Sequence, residues 1–549
     1  MKLKRRLAFL LAFLMAISVL SILVGCGQKT ETKPQDTAAP SITDQITEGP
    51  EQQQEDTPKY GGTFYYSPGS DGPSTFGTPW NPNVGFAAVT EPFAGYLTAQ
   101  WPDGSVRLVL SKGYNMGFDE ESGLYWVEHE LYDNIYLHPH ELDEAEHVDA
   151  DMVVWNAYMM KEKSYWAPSL VKVEATDKYK VRAWHAYTTN SAPLVLGCGW
   201  MCSRKLYEAF GEEYMDEHVI SSGPFRVVEN VPGSHVTYER FDNYFETGKP
   251  YYDRVVIVYL NEVQMQNIAL ESDGEGRLDC VATNTAEQAG YFKQKGYTIL
   301  SLPNQTICFV MSNQLPEDHP LMDIRVRQAI SMAIDRETLT QALGYGVHTP
   351  AYQHIPPGFA GYNPDPNYGV PRYDPERAKQ LLAEAGYPNG FTITLIPPTS
   401  VLTINENQAV AIANYLEEIG IKCELKIYDG TELAQVQRET GWGDALFIGC
   451  YISWFTAEDS ANANFRHTEG AMPSFKDLVP DEEFTSLIEA TQKVGDNSAE
   501  AAALRDYVLE NLHVIPLWYQ GRYHIVHPRV GGYREKDHML FFENLYQRY

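Results

Sequence analysis

Between Asp323 and Lys426 the chain repeats one local pattern: an acidic residue, apolar positions at helical spacing, a glycine, then a short alternating run. Asp323 precedes Val326, Ala329, Ile330, Ala333 and Ile334, which predicts a capped helix with one apolar face. Asp335-Arg336-Glu337 predicts a second start. Asp374-Pro375 reads as an N-cap followed by proline in the first turn, with Ala378, Leu381, Leu382 and Ala385 on one face and Gly386 as the stop. Phe391–Ile396 is predicted as a strand and 407–419 as a helix buried through Ala409, Ile412, Ala413 and Leu416. Ile421, Cys423, Leu425 and Ile427 then alternate as the next strand. Strand, helix and strand joined by short glycine-marked turns make an α/β unit, most simply with parallel strands. Other regions are richer in β-structure. Residues 255–260 are a β-branched run of the kind found in buried strands, and 171–184 read as a hairpin turning at Asp177-Lys178. No repeat of solenoid length is present.

The N-terminus bears on location. Lys2, Lys4, Arg5 and Arg6 precede an uncharged apolar run from Leu7 to Val24, which ends in Gly25-Cys26. A small residue directly before cysteine resembles the lipobox of bacterial lipoprotein signal peptides, in which the chain is cut ahead of the cysteine and that residue is lipidated. Cys26 is therefore the expected lipidation site, with 1–25 as the signal peptide. Several acyl chains, each contributing about 0.8 kcal/mol per buried methylene, would hold a soluble domain on the outer face of the cell membrane. Residues 26–58 are mainly Gln, Glu, Thr, Asp, Pro and Ala, too polar to offset their ordering entropy, and are expected to form a disordered tether.

The remaining chain, about 490 residues, is long enough for two or three domains. Its formal charge of −31 becomes four units more negative without the basic residues ahead of Leu7, which argues against nucleic acid as a partner. Apart from Cys26 there are six cysteines. Cys198 and Cys202 flank Gly199-Trp200-Met201 and read as a local disulfide or two free thiols, because a zinc site needs a second close pair or added histidines. His138-Pro139-His140-Glu141, with Asp143, Glu144, Glu146 and His147, reads as a solvated acidic loop rather than a metal site. The sequence contains no Gly-x-Ser-x-Gly elbow, no His-Glu-x-x-His and no Gly-x-x-x-x-Gly-Lys loop. The expectation is a chain that is not an enzyme and needs neither cofactor nor metal, with a secreted lipoprotein hydrolase as the competing reading.

An ordered series of segments resembles the family 5 extracellular solute-binding proteins, the peptide binders of ABC importers. The series begins at Tyr60-Gly61-Gly62-Thr63-Phe64 and continues through Asn134 to His138 and Val148 to Val153. It includes Ser222-Gly223-Pro224-Phe225, then Tyr238-Glu239-Arg240 and Asn243-Tyr244-Phe245. Its most specific stretch is 323–336, supported by Tyr373 to Ala378 and Leu382 to Gly386. The resemblance implies a two-lobed α/β fold like that of periplasmic binding proteins, with an extra domain and a ligand cleft between the lobes. Domain I would take 59–95, 206–307 and 515–549, domain II 96–205, and domain III 308–514. It further implies a monomer that captures peptides and delivers them to membrane permease subunits through hinge closure.

In peptide-binding members an aspartate in the strand-to-loop stretch of domain III pairs with the ligand's α-amine. Here Ile452 takes that place, between Tyr451 and Ser453-Trp454; either Glu458 or Asp459 substitutes, or the ligand lacks a free amine. Other members bind oligosaccharides by stacking them on aromatic rings, which makes an oligosaccharide the alternative ligand and Trp80, Trp442, Tyr451, Trp454, Trp518 and Tyr519 the candidate contacts. The preferred lining segments are 441–444 and 451–459. By the same resemblance Cys308 and Cys450 are a candidate disulfide bracing the cleft floor.

Overall fold

The structure is a computed structural model. It describes residues 57–69, 76–80, 87–100, 106–163, 169–186, 192–197, 199–359, 361–397, 406–428, 430–436, 440–453, 460–461, 464–465, 475, 477–491, 498–533 and 540–549. Cys26, Cys198, Trp454, Glu458 and Asp459 lie outside these residues. Among the described residues no helix is long and apolar enough to cross a membrane.

The expected helices begin at the expected caps. The Asp323 side chain accepts from the Arg325 N–H, Asp335 from Thr338 and Asp374 from Arg377, opening helices Ile324–Ala333, Arg336–Leu343 and Pro375–Glu384. Strands Phe391–Ile396 and Ile421–Leu425 pair in parallel across helix Glu406–Glu418, as the α/β unit requires. Arg336 explains why charge sits inside this region. Its guanidinium is fully buried, donating to the carbonyls of Pro516 at 2.7 Å and Ser331 at 3.0 Å, and so ties the helix pair to a strand remote in sequence. A buried cation satisfied in this way escapes most of the cost of lost hydration.

Three sheets organise the rest. The first has seven strands in the order Thr298–Ser301, Tyr523–Val526, Cys280–Thr283, Thr63–Ser67, Arg254–Val258, His235–Arg240 and Phe225–Val231. Thr63–Ser67 is parallel to both its neighbours. Arg254–Val258 buries Val255 and Ile257 while Val256 and Val258 are only partly covered, so it is buried mainly on one face. The second sheet runs Thr349–Pro350, Val514–Gln520, Gln305–Val310, Leu446–Ile452, Phe391–Ile396, Ile421–Leu425. The third is an antiparallel four-stranded sheet, Ser111–Asp119, Leu124–Leu131, Lys180–His185, Leu170–Asp177, on which helix Ala150–Lys163 packs through Val153 and Ala157. The hairpin read at 171–184 is its last pair, turning at 178–179.

Gly223 of the Gly-Pro-aromatic motif has a steric cause. A Cβ there would lie 2.3 Å from the Phe93 carbonyl carbon, and its N–H donates to the same carbonyl at 2.9 Å. Only glycine allows this approach between the first sheet's edge and the segment leading to the third.

Gln305–Val310 and Val514–Gln520 both belong to the second sheet, so the chain crosses between the first two sheets at 302–304 and 521–522. Two expectations are corrected. Cys308 and Cys450 are both free thiols. Cys308 stands opposite Gly449 and Cys450 opposite Ile307, and this one-residue offset sends the two side chains to opposite faces of the sheet. The acidic loop is partly internal. His140 Nε2 meets Glu146 Oε2 at 2.8 Å, both side chains are buried, and the Ser203 hydroxyl donates to the same oxygen. No cluster of three or more metal-ligating side chains occurs among the described residues.

Candidate functional site

In a sheet with parallel strands, ligands collect beyond the carboxyl ends, where connections diverge. In the first sheet the parallel strands Thr63–Ser67 and Cys280–Thr283 end at Ser67 and Thr283, and in the second Leu446–Ile452, parallel to Phe391–Ile396, ends at Ile452. The two crossings tie these ends together. The Ser453 N–H donates to the Asn304 carbonyl at 2.8 Å, and a Cβ on Gly521 would lie 1.9 Å from the Leu302 carbonyl oxygen. The crossings therefore run in contact, and position 521 must be glycine for them to do so.

Cross-strand rows position the side chains at this junction. Gln520, Gln305 and Ile452 form the end row, Tyr519, Thr306 and Tyr451 the next, and Trp518, Ile307 and Cys450 the third. Gln520 Nε2 donates to Gln305 Oε1 at 3.3 Å, and Trp518 Nε1 donates to Gln520 Oε1 at 2.8 Å. The Asn464 carboxamide brackets the Ile452 backbone, accepting from its N–H at 3.2 Å and donating to its carbonyl at 2.8 Å. On the other face the Thr306 hydroxyl donates to the His354 carbonyl, and Tyr519 Oη donates to the carbonyls of Gln353 and Ile355. Burial pushes His354 down to about 3, which leaves its ring neutral. From the first sheet, Arg522 donates through Nη2 to the Pro68 carbonyl, just past the end of Thr63–Ser67.

The aromatics expected to contact ligand separate by location. Tyr451, Ile452, Ser453, Trp518 and Tyr519 all lie at the junction. Ile452 is half-buried, and the Ser453 hydroxyl is buried without a hydrogen-bond partner among the described residues. Tyr451, Trp518 and Tyr519 are each at most 6% exposed; Trp518 stacks on His348 at 5.7 Å, and Tyr451 packs edge-on to His354. Their rings serve the core. Trp442 lies beyond the opposite end of the Leu446–Ile452 strand, roughly 20 Å of strand away, stacked on Phe447 at 4.7 Å. Segments 441–444 and 451–453 thus do not line one site. Trp80 is buried against Trp155 and Tyr207 and donates to Glu212 Oε1 at 2.9 Å, away from the junction. The residues missed from sequence are Arg522, Gln305, Gln520 and His354. The one available signal was Gly521-Arg522, a glycine and a cation closing a continuous apolar run.

A second charged group surrounds a cavity of about 90 Å³ between the segment 91–109, which leads into the third sheet, and the C-terminal segment. Arg107 Nη2 pairs with Glu543 Oε1 at 2.5 Å and its guanidinium lies 4.0 Å over the Phe541 ring. Glu91 lines the same cavity. Burial pushes its carboxyl up to about 8, Arg107 and Arg522 pull it down, and Glu543 pushes it further up.

Two α/β sheets joined by paired crossings, with strand ends meeting at the junction, define a two-lobed binding protein of the periplasmic type. A peptide-complexed structure of that architecture, the DppA periplasmic binding protein from Helicobacter pylori bound to the peptide STSA, superposes with a TM-score of 0.66 over 89% of this chain and 99% of the other at 18% identity. Residues 146–472 match the bacterial extracellular solute-binding proteins, family 5, and the chain belongs to that family. Among curated relatives, the dipeptide-binding protein of Escherichia coli (strain K12) is 29% identical over 285 residues, 49% of this chain and 51% of the relative. Heme-binding protein A of Haemophilus influenzae (strain ATCC 51907 / DSM 11121 / KW20 / Rd) is 29% identical over 231 residues, covering 41% of each chain. The matches thus span about half or less of these relatives' lengths.

Proposed function

We propose that this chain is the extracytoplasmic ligand-capturing component of an ABC-type importer. In this reading it binds peptides, passes them to permease subunits and is held at the membrane by lipid on Cys26. The family match over 146–472 carries the reading, and relatives named for a dipeptide and a bound peptide favour peptides as cargo. The protein acts as a monomer by binding alone, without catalysis. Its lobes close about the crossings at 302–304 and 521–522, and the closed form presents both docking faces to the permease together. Residues 96–205 form the extra domain. Glu458 and Asp459 remain the proposed amine partners in place of Ile452. The oligosaccharide reading now rests on Trp454, since the other five candidate rings are packed into the core.

A thermal-shift screen of mixed short peptides against mixed oligosaccharides tests the cargo. Ligand at a hundredfold over its Kd stabilises the native state by about 2.7 kcal/mol. A melting shift with oligosaccharides and none with peptides would overturn the peptide reading. Labelling of expressed protein with radioactive palmitate tests the anchor: label should appear on the chain and vanish in Cys26→Ser, and equal label in both rejects Cys26.

A further inference from the structure

Among the described residues, the cation at the junction has no counter-ion. Arg522 spends one N–H on the Pro68 carbonyl, out of the five a guanidinium carries. Its Nε is buried without a hydrogen-bond partner, and it enters no ion pair among the described residues. Around it the polar groups are also unspent. The Tyr66 hydroxyl is buried and unpartnered among the described residues, as is the Ser453 hydroxyl across the crossing. Among the described residues, the acid whose field reaches Arg522 is Glu91, and burial keeps that carboxyl protonated at neutral pH, so it does not balance the charge. On the opposing strand end stands Ile452, an aliphatic residue that offers a ligand amine nothing.

A partly buried guanidinium with free donors is expensive unless an anion completes it, and its planar fork matches a carboxylate. We propose that Arg522 anchors an acidic group of the ligand, a carboxylate, at the junction of the two sheets, so that the anionic end selects the ligand. This deepens, and rests on, the reading of the chain as a ligand-capturing protein. A peptide C-terminus and a sugar acid both supply the group.

Calorimetric titration of the full chain tests the assignment with two matched pairs: a tripeptide library with free C-termini against its C-terminal amides, and digalacturonate against neutral galactobiose. The acid member of at least one pair should bind at least about tenfold tighter than the neutral one. Arg522→Gln should remove that difference by weakening the acid form alone, and Arg522→Lys should retain part of it. Equal binding of acid and neutral forms in both pairs, no binding by any probe, or an acid preference that survives in Arg522→Gln overturns the anchor. Peptides that bind with no acid preference sink the anchor and leave the peptide reading standing. An acid preference confined to digalacturonate and lost in Arg522→Gln supports the anchor and rejects peptides. Melting of each variant without ligand checks its fold, because the bond to Pro68 is lost in Arg522→Gln. Should Arg522→Gln fail to fold, the wild-type acid-to-neutral ratio and its reduction in Arg522→Lys decide.

Discussion

The carboxyl of Glu91 works against the fold as pH rises. In the native chain burial lifts it from an ordinary 4.5 to about 8, so the folded state holds a proton that the unfolded state releases from about pH 4.5 upward. Its stabilising contribution is complete below pH 4.5 and is lost as pH climbs to 8. The groups that set this value are Arg107 and Arg522 on one side and Glu543 on the other. The melting temperature should therefore decline between pH 6.5 and 8, and Glu91→Gln should flatten the decline. An unchanged slope in the variant would place the effect elsewhere. At the same scale, Gly521→Ala pushes a methyl into the Leu302 carbonyl and should cost about 1–3 kcal/mol through overpacking, read as a lowered denaturant midpoint. A variant as stable as wild type would show that the crossings can part freely.

Helix starts are set by single side chains, which is why they could be read in advance. Asp374 caps its helix through the Arg377 N–H at 2.9 Å, with Pro375 in the first turn, and Asp374→Ala should cost about 1 kcal/mol in urea unfolding. Arg336 acts between elements. Arg336→Met keeps the volume and strands the carbonyls of Pro516 and Ser331, at a cost of about 3 kcal/mol by the same measurement; a loss under 1 kcal/mol would mean that water replaces the guanidinium. Caps, alternation and the parallel pair at 391–425 were legible because each is encoded within a few residues. The aromatic contacts were not. Whether Trp80, Trp442 or Trp518 faces ligand or core depends on partners such as Trp155, Phe447 and His348, far away in sequence or on other elements. The cysteine pairing failed on register. Cys308 and Cys450 do lie on adjacent strands, yet a one-residue offset turns them to opposite faces, and no local pattern specifies that offset.

Over the whole molecule, buried imidazoles oppose Glu91 and outweigh it in acid. Burial pushes His129, His138, His185, His348, His513 and His527 down to about 4 and His354 and His524 to about 3, so all eight stay neutral in the fold and take up protons on unfolding. Their contribution is full above pH 6.5 and is lost as pH falls towards 4. At pH 5.5 these eight histidines, less the proton held by Glu91, give a net uptake of about six protons on unfolding. Calorimetry in buffers of different ionisation heat measures that number directly, and an uptake near zero would contradict the buried-neutral assignment. The two crossings also set an order of events. Tyr523–Val526 sits between Cys280–Thr283 and Thr298–Ser301 in one sheet, and Val514–Gln520 flanks Gln305–Val310 in the other. Neither sheet can close until residues 514–526 are available. A chain emerging from the ribosome thus lacks the next-to-edge strand of both sheets for nearly the whole of its synthesis. Both sheets therefore reach their full strand complement together, at the very end of translation.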